Sequence, residues 1–183
     1  MSTTHRPTAI VQQNGKKPLF IAIALAFVLG LAAMIGWRVT AAPDFAPEVT
    51  YGLIDGTKVT TSGLKGKVVL VNFWATSCVT CVAEMPQLSQ THQKFAARGY
   101  ETIAVAMSYD RADYVLNFVK TRALPFKVAL DVDGNVAEKF NKVKVTPTSL
   151  LIDAKGRILR RWVGEPDFAV LHGLIEAELN RKS

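Results

Sequence analysis

Lys67-Val68-Val69-Leu70-Val71-Asn72-Phe73-Trp74-Ala75-Thr76-Ser77-Cys78-Val79-Thr80-Cys81 is the stretch on which the reading of this chain turns. Its first eight residues are a nearly unbroken β-branched and aromatic run, the pattern of a strand buried on both faces. That run passes directly into two cysteines spaced Cys-x-x-Cys. Beyond them Met85, Leu88 and Phe95 recur at helical spacing to about Ala97. The pattern predicts a central strand, a cysteine turn and a helix.

Downstream, Glu101 to Ser108 reads as a second apolar strand. Ala112 to Thr121 reads as a helix with Val115, Phe118 and Val119 on one face, and Phe126 to Leu130 as a short strand. Asn135 to Asn141 is a short helical stretch. Thr148 to Ile152 and Ile158 to Val163 flank Asp153-Ala154-Lys155-Gly156 as a hairpin, and Phe168, Leu171, Leu174, Ile175 and Leu179 mark a closing amphipathic helix. Strands alternating with helices predict an α/β domain with an at least partly parallel sheet. Upstream, Asp55-Gly56 between two short extended segments predicts a small hairpin, followed by turns at Ser62-Gly63 and Lys65-Gly66.

From Pro18 to Trp37 runs a block of 20 uncharged residues rich in Ala, Leu and Ile. A helix of ~20 apolar residues is what a bilayer core requires. Arg6, Lys16 and Lys17 precede it without an acid, while Asp44 and Glu48 follow Arg38. The positive-inside bias therefore keeps residues 1–17 in the cytoplasm as a tail and puts the domain outside. We read residues 18–37 as an uncleaved anchor, 38–48 as a linker with two prolines, and 49–183 as the domain. A cleaved signal peptide ending near Val39-Thr40-Ala41 is the competing reading, but its apolar region would normally run only ~7–15 residues, and Pro43 sits just after such a cut.

The formal net charge of +7 divides unevenly: residues 1–41 hold four basic residues and no acid, leaving +3 for the rest. The densest basic stretch there, Lys139, Lys142 and Lys144, reads as a solvated face, and we expect no nucleic-acid partner.

The cysteine pair carries the chemistry. A structural zinc site needs four ligands, whereas this chain supplies two cysteines and the scattered His5, His92 and His172. We expect no metal and no cofactor, and His92 and His172 as surface or packing residues. A structural disulfide closing so short a loop gains little. Redox exchange explains the spacing better. At a helix N-terminus the positive end of the macrodipole favours a thiolate, so the Cys78 pKa should fall below the free value of ~8.5. Cys78 is then the attacking nucleophile, and Cys81, one turn on and more buried, resolves the mixed disulfide.

The block Trp74 to Pro86 resembles the thioredoxin superfamily, and within it the TlpA-type branch of membrane-anchored thiol-disulfide oxidoreductases. The likeness includes the aromatic before the motif, the proline five residues after Cys81, and Val145-Thr146-Pro147-Thr148, which resembles the family's cis-proline loop. It spans roughly residues 45 to 180. The resemblance implies a thioredoxin-like fold: a central mixed sheet flanked by helices, extended by the N-terminal hairpin and preceded by the anchor.

Three site residues follow from that resemblance. Pro147 matches the cis-proline facing the cysteines, so the backbone at Thr146 would bind an extended client segment; read alone, it is also a trans proline ending a loop. Trp74 matches the aromatic shielding the site, although an aromatic at a strand end is often core. Glu84, about one helical turn beyond Cys81, matches an acid that exchanges a proton with that cysteine. By itself it reads equally as a solvated glutamate in a first helical turn. Thioredoxin's buried aspartate is replaced here by Asn72, and its Gly-Pro between the cysteines by Val79-Thr80.

The resemblance further implies a single-pass protein of the bacterial inner membrane whose catalytic domain is periplasmic and reduces disulfides there. Its clients would be apocytochromes or copper-site assembly proteins, and a membrane electron donor would recharge it, because that compartment holds no reducing thiol pool. A disulfide-forming oxidase on the same scaffold, a copper chaperone using the two thiolates, and a non-catalytic binding module stand as alternatives.

Overall fold

The computed structural model describes residues 23, 25–30 and 44–182. Residues 25–30 are helical. No helix among the described residues is long and apolar enough to cross a membrane. The tail expected at 1–17 and most of the anchor expected at 18–37 lie outside the described residues.

The domain contains β1 (Thr50–Gly52), β2 (Lys58–Thr60), β3 (Val68–Trp74), α1 (Val79–Phe95), β4 (Tyr100–Ala106), α2 (Ala112–Arg122), β5 (Lys127–Leu130), α3 (Asn135–Lys139), β6 (Thr148–Ile152), β7 (Ile158–Val163) and α4 (Phe168–Lys182). The five-stranded sheet has the order β5-β4-β3-β6-β7. β3, β4 and β5 run parallel, while β6 and β7 are antiparallel to their neighbours. The sheet is mixed, and the apolar run at 67–74 is its central strand. Every residue of β3 and β4 is buried. β4 begins one residue before the expected start and ends at Ala106, because Met107 N–H donates to the Trp74 carbonyl at 3.0 Å as the last rung and the chain then turns, Asp110 N–H donating to Met107 O at 2.9 Å.

Alternation along β3 sorts the core. Val68, Leu70 and Trp74 pack with Met85, Leu88 and Phe95 of α1 and with Leu171, Ile175 and Leu179 of α4. Val69, Val71 and Phe73 point to the other face, with Tyr51, Val136 and Phe140. Each large apolar side chain buried this way contributes ~1.5–3 kcal/mol, and truncating the fully buried Phe95 to Ala would cost about 3–5 kcal/mol. By the same parity Asn72, the one polar residue of β3, faces α1.

The hairpin forms as expected, Tyr51 opposite Val59 with Gly56 in the turn at φ +83°. It docks on the β5 edge through Ile54 N–H to Val128 O at 3.0 Å. The end of the segment read as a linker is already tied to the domain: Phe45 bridges Arg157, and Ala46 N–H donates to Gly156 O at 2.9 Å. At the start of β4 the buried Glu101 accepts from Lys127 Nζ at 2.5 Å and Lys67 Nζ at 3.2 Å. Lys139, Lys142 and Lys144 are exposed, as read. His92 and His172 pack: His92 lies against Tyr100 and Phe126, and His172 Nε2 is 2.8 Å from Thr91 Oγ1.

Candidate active site

A helix needs partners for its first free N–H groups, and α4 obtains one from an aspartate: Asp167 Oδ1 accepts from Ala169 and Val170. α1 uses a cysteine in that position. Cys78 is its N-cap, with extended backbone, and its sulfur accepts the Cys81 N–H at 3.2 Å. Cys78 and Cys81 are joined in a disulfide with Cα atoms 5.2 Å apart. Cys78 is half-buried and Cys81 fully buried. The outer sulfur therefore sits at the positive end of a 17-residue helix, and the inner one is shielded behind it.

Thr148 lies opposite Phe73 in the β3–β6 pairing, which puts the loop just before β6 at the same sheet end as the cysteine turn. The Thr146–Pro147 peptide is cis. Thr148 Oγ1 donates to Val145 O at 2.7 Å. Gly164, at φ +94°, donates its N–H to Pro147 O at 2.8 Å. Pro147 is buried and Thr146 half-exposed.

Glu84 is 0 % exposed, so the reading as a solvated first-turn glutamate is wrong for this fold. Its Oε1 accepts from Asn72 Nδ2 at 2.8 Å, and the same amide donates to Ser149 Oγ at 3.0 Å. Glu84 Oε2 and Asn72 Oδ1 are buried without a hydrogen-bond partner. Burial pushes the Glu84 carboxyl up to about 7, against the pull of the Asn72 hydrogen bond and with a further push from the charge of Glu165. An acid three residues after Cys81 on α1 is thereby poised to gain or lose a proton near neutrality.

Trp74 is also 0 % exposed, its ring 5.2 Å from Phe118. It offers no surface to a client and is core beneath the cysteine turn, as a strand-end aromatic often is, because parity directs it inward from the last position of β3.

The turn after β4 also reaches the site, through residues that no sequence motif marks. Asp110 Oδ2 accepts the Thr76 N–H and Oδ1 the Thr76 hydroxyl, both at 2.6 Å, two residues before Cys78. Beside it, the Tyr109 hydroxyl lies 3.3 Å from Thr146 Oγ1. One turn thus touches both the cysteine turn and the cis-proline loop. Neither residue belongs to a motif or a periodic pattern; the only local signal is a polar cluster at the carboxyl end of a parallel strand, where α/β sheets place their sites.

The Redoxin family profile matches residues 40–174. The thiol-disulfide oxidoreductase ResA of Bacillus thuringiensis subsp. konkukian is 36% identical over 121 residues, which are 66% of this chain and 68% of that protein. A solution structure from Neisseria meningitidis described as a thioredoxin superposes with a TM-score of 0.70 at 39% identity, covering 78% of this chain and 93% of its own. A crystal structure from Chlorobium tepidum described as the thiol:disulfide interchange protein DsbE gives a TM-score of 0.69 at 31% identity, with 76% and 98% covered.

Proposed function

We propose a function that starts from the family: the chain belongs to the Redoxin family and is a thiol-disulfide oxidoreductase of the thioredoxin superfamily, working through its Cys78–Cys81 pair. In the reduced protein Cys78 is the nucleophile. Its thiolate attacks one sulfur of a client disulfide, forming a mixed disulfide and releasing the other client sulfur as a thiolate. Cys81 then attacks the Cys78 sulfur. The second client thiolate leaves, two electrons have passed to the client, and the Cys78–Cys81 disulfide remains.

Glu84 accepts the proton that Cys81 must lose to become nucleophilic. With a carboxyl titrating at about 7 inside an apolar core, it can take a proton at neutral pH where an ordinary glutamate could not hold one. Asn72 and Ser149 hold it in place. The Thr146–Pro147 loop receives the extended client segment, its proline offering no N–H to compete for partners.

The direction we favour is reduction. The domain is held outside the cytoplasm by an N-terminal anchor at 18–37, faces the periplasm of a bacterial inner membrane, reduces client disulfides of apocytochromes or copper-site assembly proteins, and is recharged by a membrane electron donor. The observation that carries the exchange chemistry is that Cys78, a half-buried residue, caps α1 with its sulfur ahead of a fully buried Cys81. The test of direction is the equilibrium reduction potential of the full chain in detergent, titrated against defined thiol-disulfide buffers. A value near thioredoxin's, about −270 mV, supports the reductase; a value near that of strong oxidants, about −120 mV, replaces it with a disulfide-forming enzyme.

A further inference from the structure

Beside the cysteine turn runs a groove of about 510 Å³, with Thr76 and Ser77 on one wall and Tyr114, Phe118 and Arg122 of α2 on the other. We propose that this groove is a second client subsite, seating an apolar or aromatic side chain next to the client's exchanging cysteine and an acidic client residue against Arg122. The inference rests on the exchange reading above and adds to it a preference among clients.

Continuity with the reacting sulfur comes first. Ser77 lines the groove and directly precedes Cys78, one Cα step of ~3.8 Å away. A client joined to Cys78 advances ~3.3–3.6 Å per residue in extended form, so the residues one to three places from its cysteine lie over this surface on one side. The cis-proline loop serves the other side.

The lining states what those residues should be. Tyr114 is 56% exposed, and Phe118 is half-buried on Trp74, giving the groove an accessible apolar floor. Arg122 stacks over Phe118 at 5.7 Å and meets no carboxylate within ion-pair distance among the described residues. Arg111, which stacks over Tyr114 at 4.7 Å, is by contrast already bound to Asp113 at 2.8 Å. Among its lining residues the groove thus presents one uncompensated cation and no acid, Asp110 lying behind Thr76 with both oxygens engaged, and an acidic client residue completes it. Its inner wall is set before a client arrives, because Asp110 grips both the amide and the hydroxyl of Thr76. A wall fixed in advance lowers the ordering entropy of binding.

The experiment uses the reduced full chain in detergent and two disulfide-bridged peptides under single-turnover conditions. One peptide carries phenylalanine and two glutamates flanking each cysteine; the other carries lysines in place of the glutamates. The native protein should open the acidic peptide about fivefold faster at low salt, in second-order rate constant, and lose that preference as salt is raised. Arg122→Glu should reverse it, and Tyr114→Ala should slow both peptides. An unchanged ratio in Arg122→Glu, or no preference in the native protein, overturns the subsite while leaving exchange intact. Failure of the native protein to open either bridge overturns the exchange reading and the subsite together.

Discussion

Glu101, at the start of β4, and Glu84, on α1 behind the cysteines, are both buried carboxylates of one domain, yet they stand in opposite surroundings. Glu101 lies between two ammonium groups; burial alone would raise its pKa, but the Lys127 and Lys67 hydrogen bonds and charges outweigh burial and hold it below the ordinary range. Glu84 meets a neutral amide and, among the described residues, no cation, and burial prevails. On the proposed mechanism, a charge that only has to be stable is paired, and one that has to come and go is left uncompensated. The sheet end that carries no chemistry follows the first rule, and the sheet end that carries the disulfide follows the second.

The strongest way to break this contrast is at the cysteine end. Cys78→Ser should lower disulfide reduction by at least about a thousandfold, since the one remaining thiol, Cys81, is fully buried and out of a client's reach, while leaving thermal unfolding nearly unchanged. A non-catalytic binding module would retain client binding with no such loss. Exchange rates with a model disulfide and a melting curve decide it.

Next in size is the pH dependence of stability. Folded Glu84 titrates at about 7 and unfolded glutamate near 4.5, so the folded state holds a proton that the unfolded state releases between these values. The Glu84 contribution to stability is therefore full below pH 4.5, declines as pH rises through 7, and is flat above. The span of about 2.5 pKa units corresponds to about 3 kcal/mol. Glu84→Gln, measured by denaturant titration of the oxidised protein from pH 4 to 8, should remove that slope and slow the Cys81 step about tenfold to a hundredfold. A slope that survives the substitution would assign it to another group.

Glu101 should behave in reverse. Its pKa is depressed on folding, so its stabilisation is present above the unfolded value near 4.5 and is lost as pH falls through the folded one. Glu101→Gln at pH 7 should cost about 1–3 kcal/mol by leaving Lys67 and Lys127 without their carboxylate, the half-exposed lysines keeping the figure below that of a fully buried pair. Turnover should stay within about twofold. A large loss of activity with intact folding would place chemistry at the paired end and collapse the comparison.

The smallest expected effect sharpens the cysteine end itself. Asp110→Ala removes both acceptors from Thr76 and should cost about 1–2 kcal/mol with a several-fold slower attack by Cys78. Asp110→Asn, whose amide oxygen still accepts the Thr76 N–H, should recover most of both, as melting curves and single-turnover rates will show.

Local pattern explains why so much of the fold was legible. The 67–74 run could only be a central strand, helical spacing carried α1 and α4, and Asp55-Gly56 announced the hairpin. The Cys78–Cys81 pair is legible because a chain-local spacing carries it, whereas the cis state of Pro147 came only with the family resemblance. Trp74 reads two ways, as a shield of the site or as core, because which face of β3 is covered by α1 is decided by packing across the open sheet. Asp110 was missed because its partner lies 34 positions away.

What the amino-acid order determined by itself was therefore the strand, turn and helix that put one cysteine at a helix N-terminus and the other a turn behind it, since hydrophobic periodicity and capping act over a few residues. The tertiary structure alone decided what surrounds that pair. Asn72 meets Glu84 across 12 positions and Ser149 across 77. Those contacts exist because parallel β3 and antiparallel β6 pair in one register and turn Asn72 toward α1, a consequence of long-range packing that no local propensity encodes.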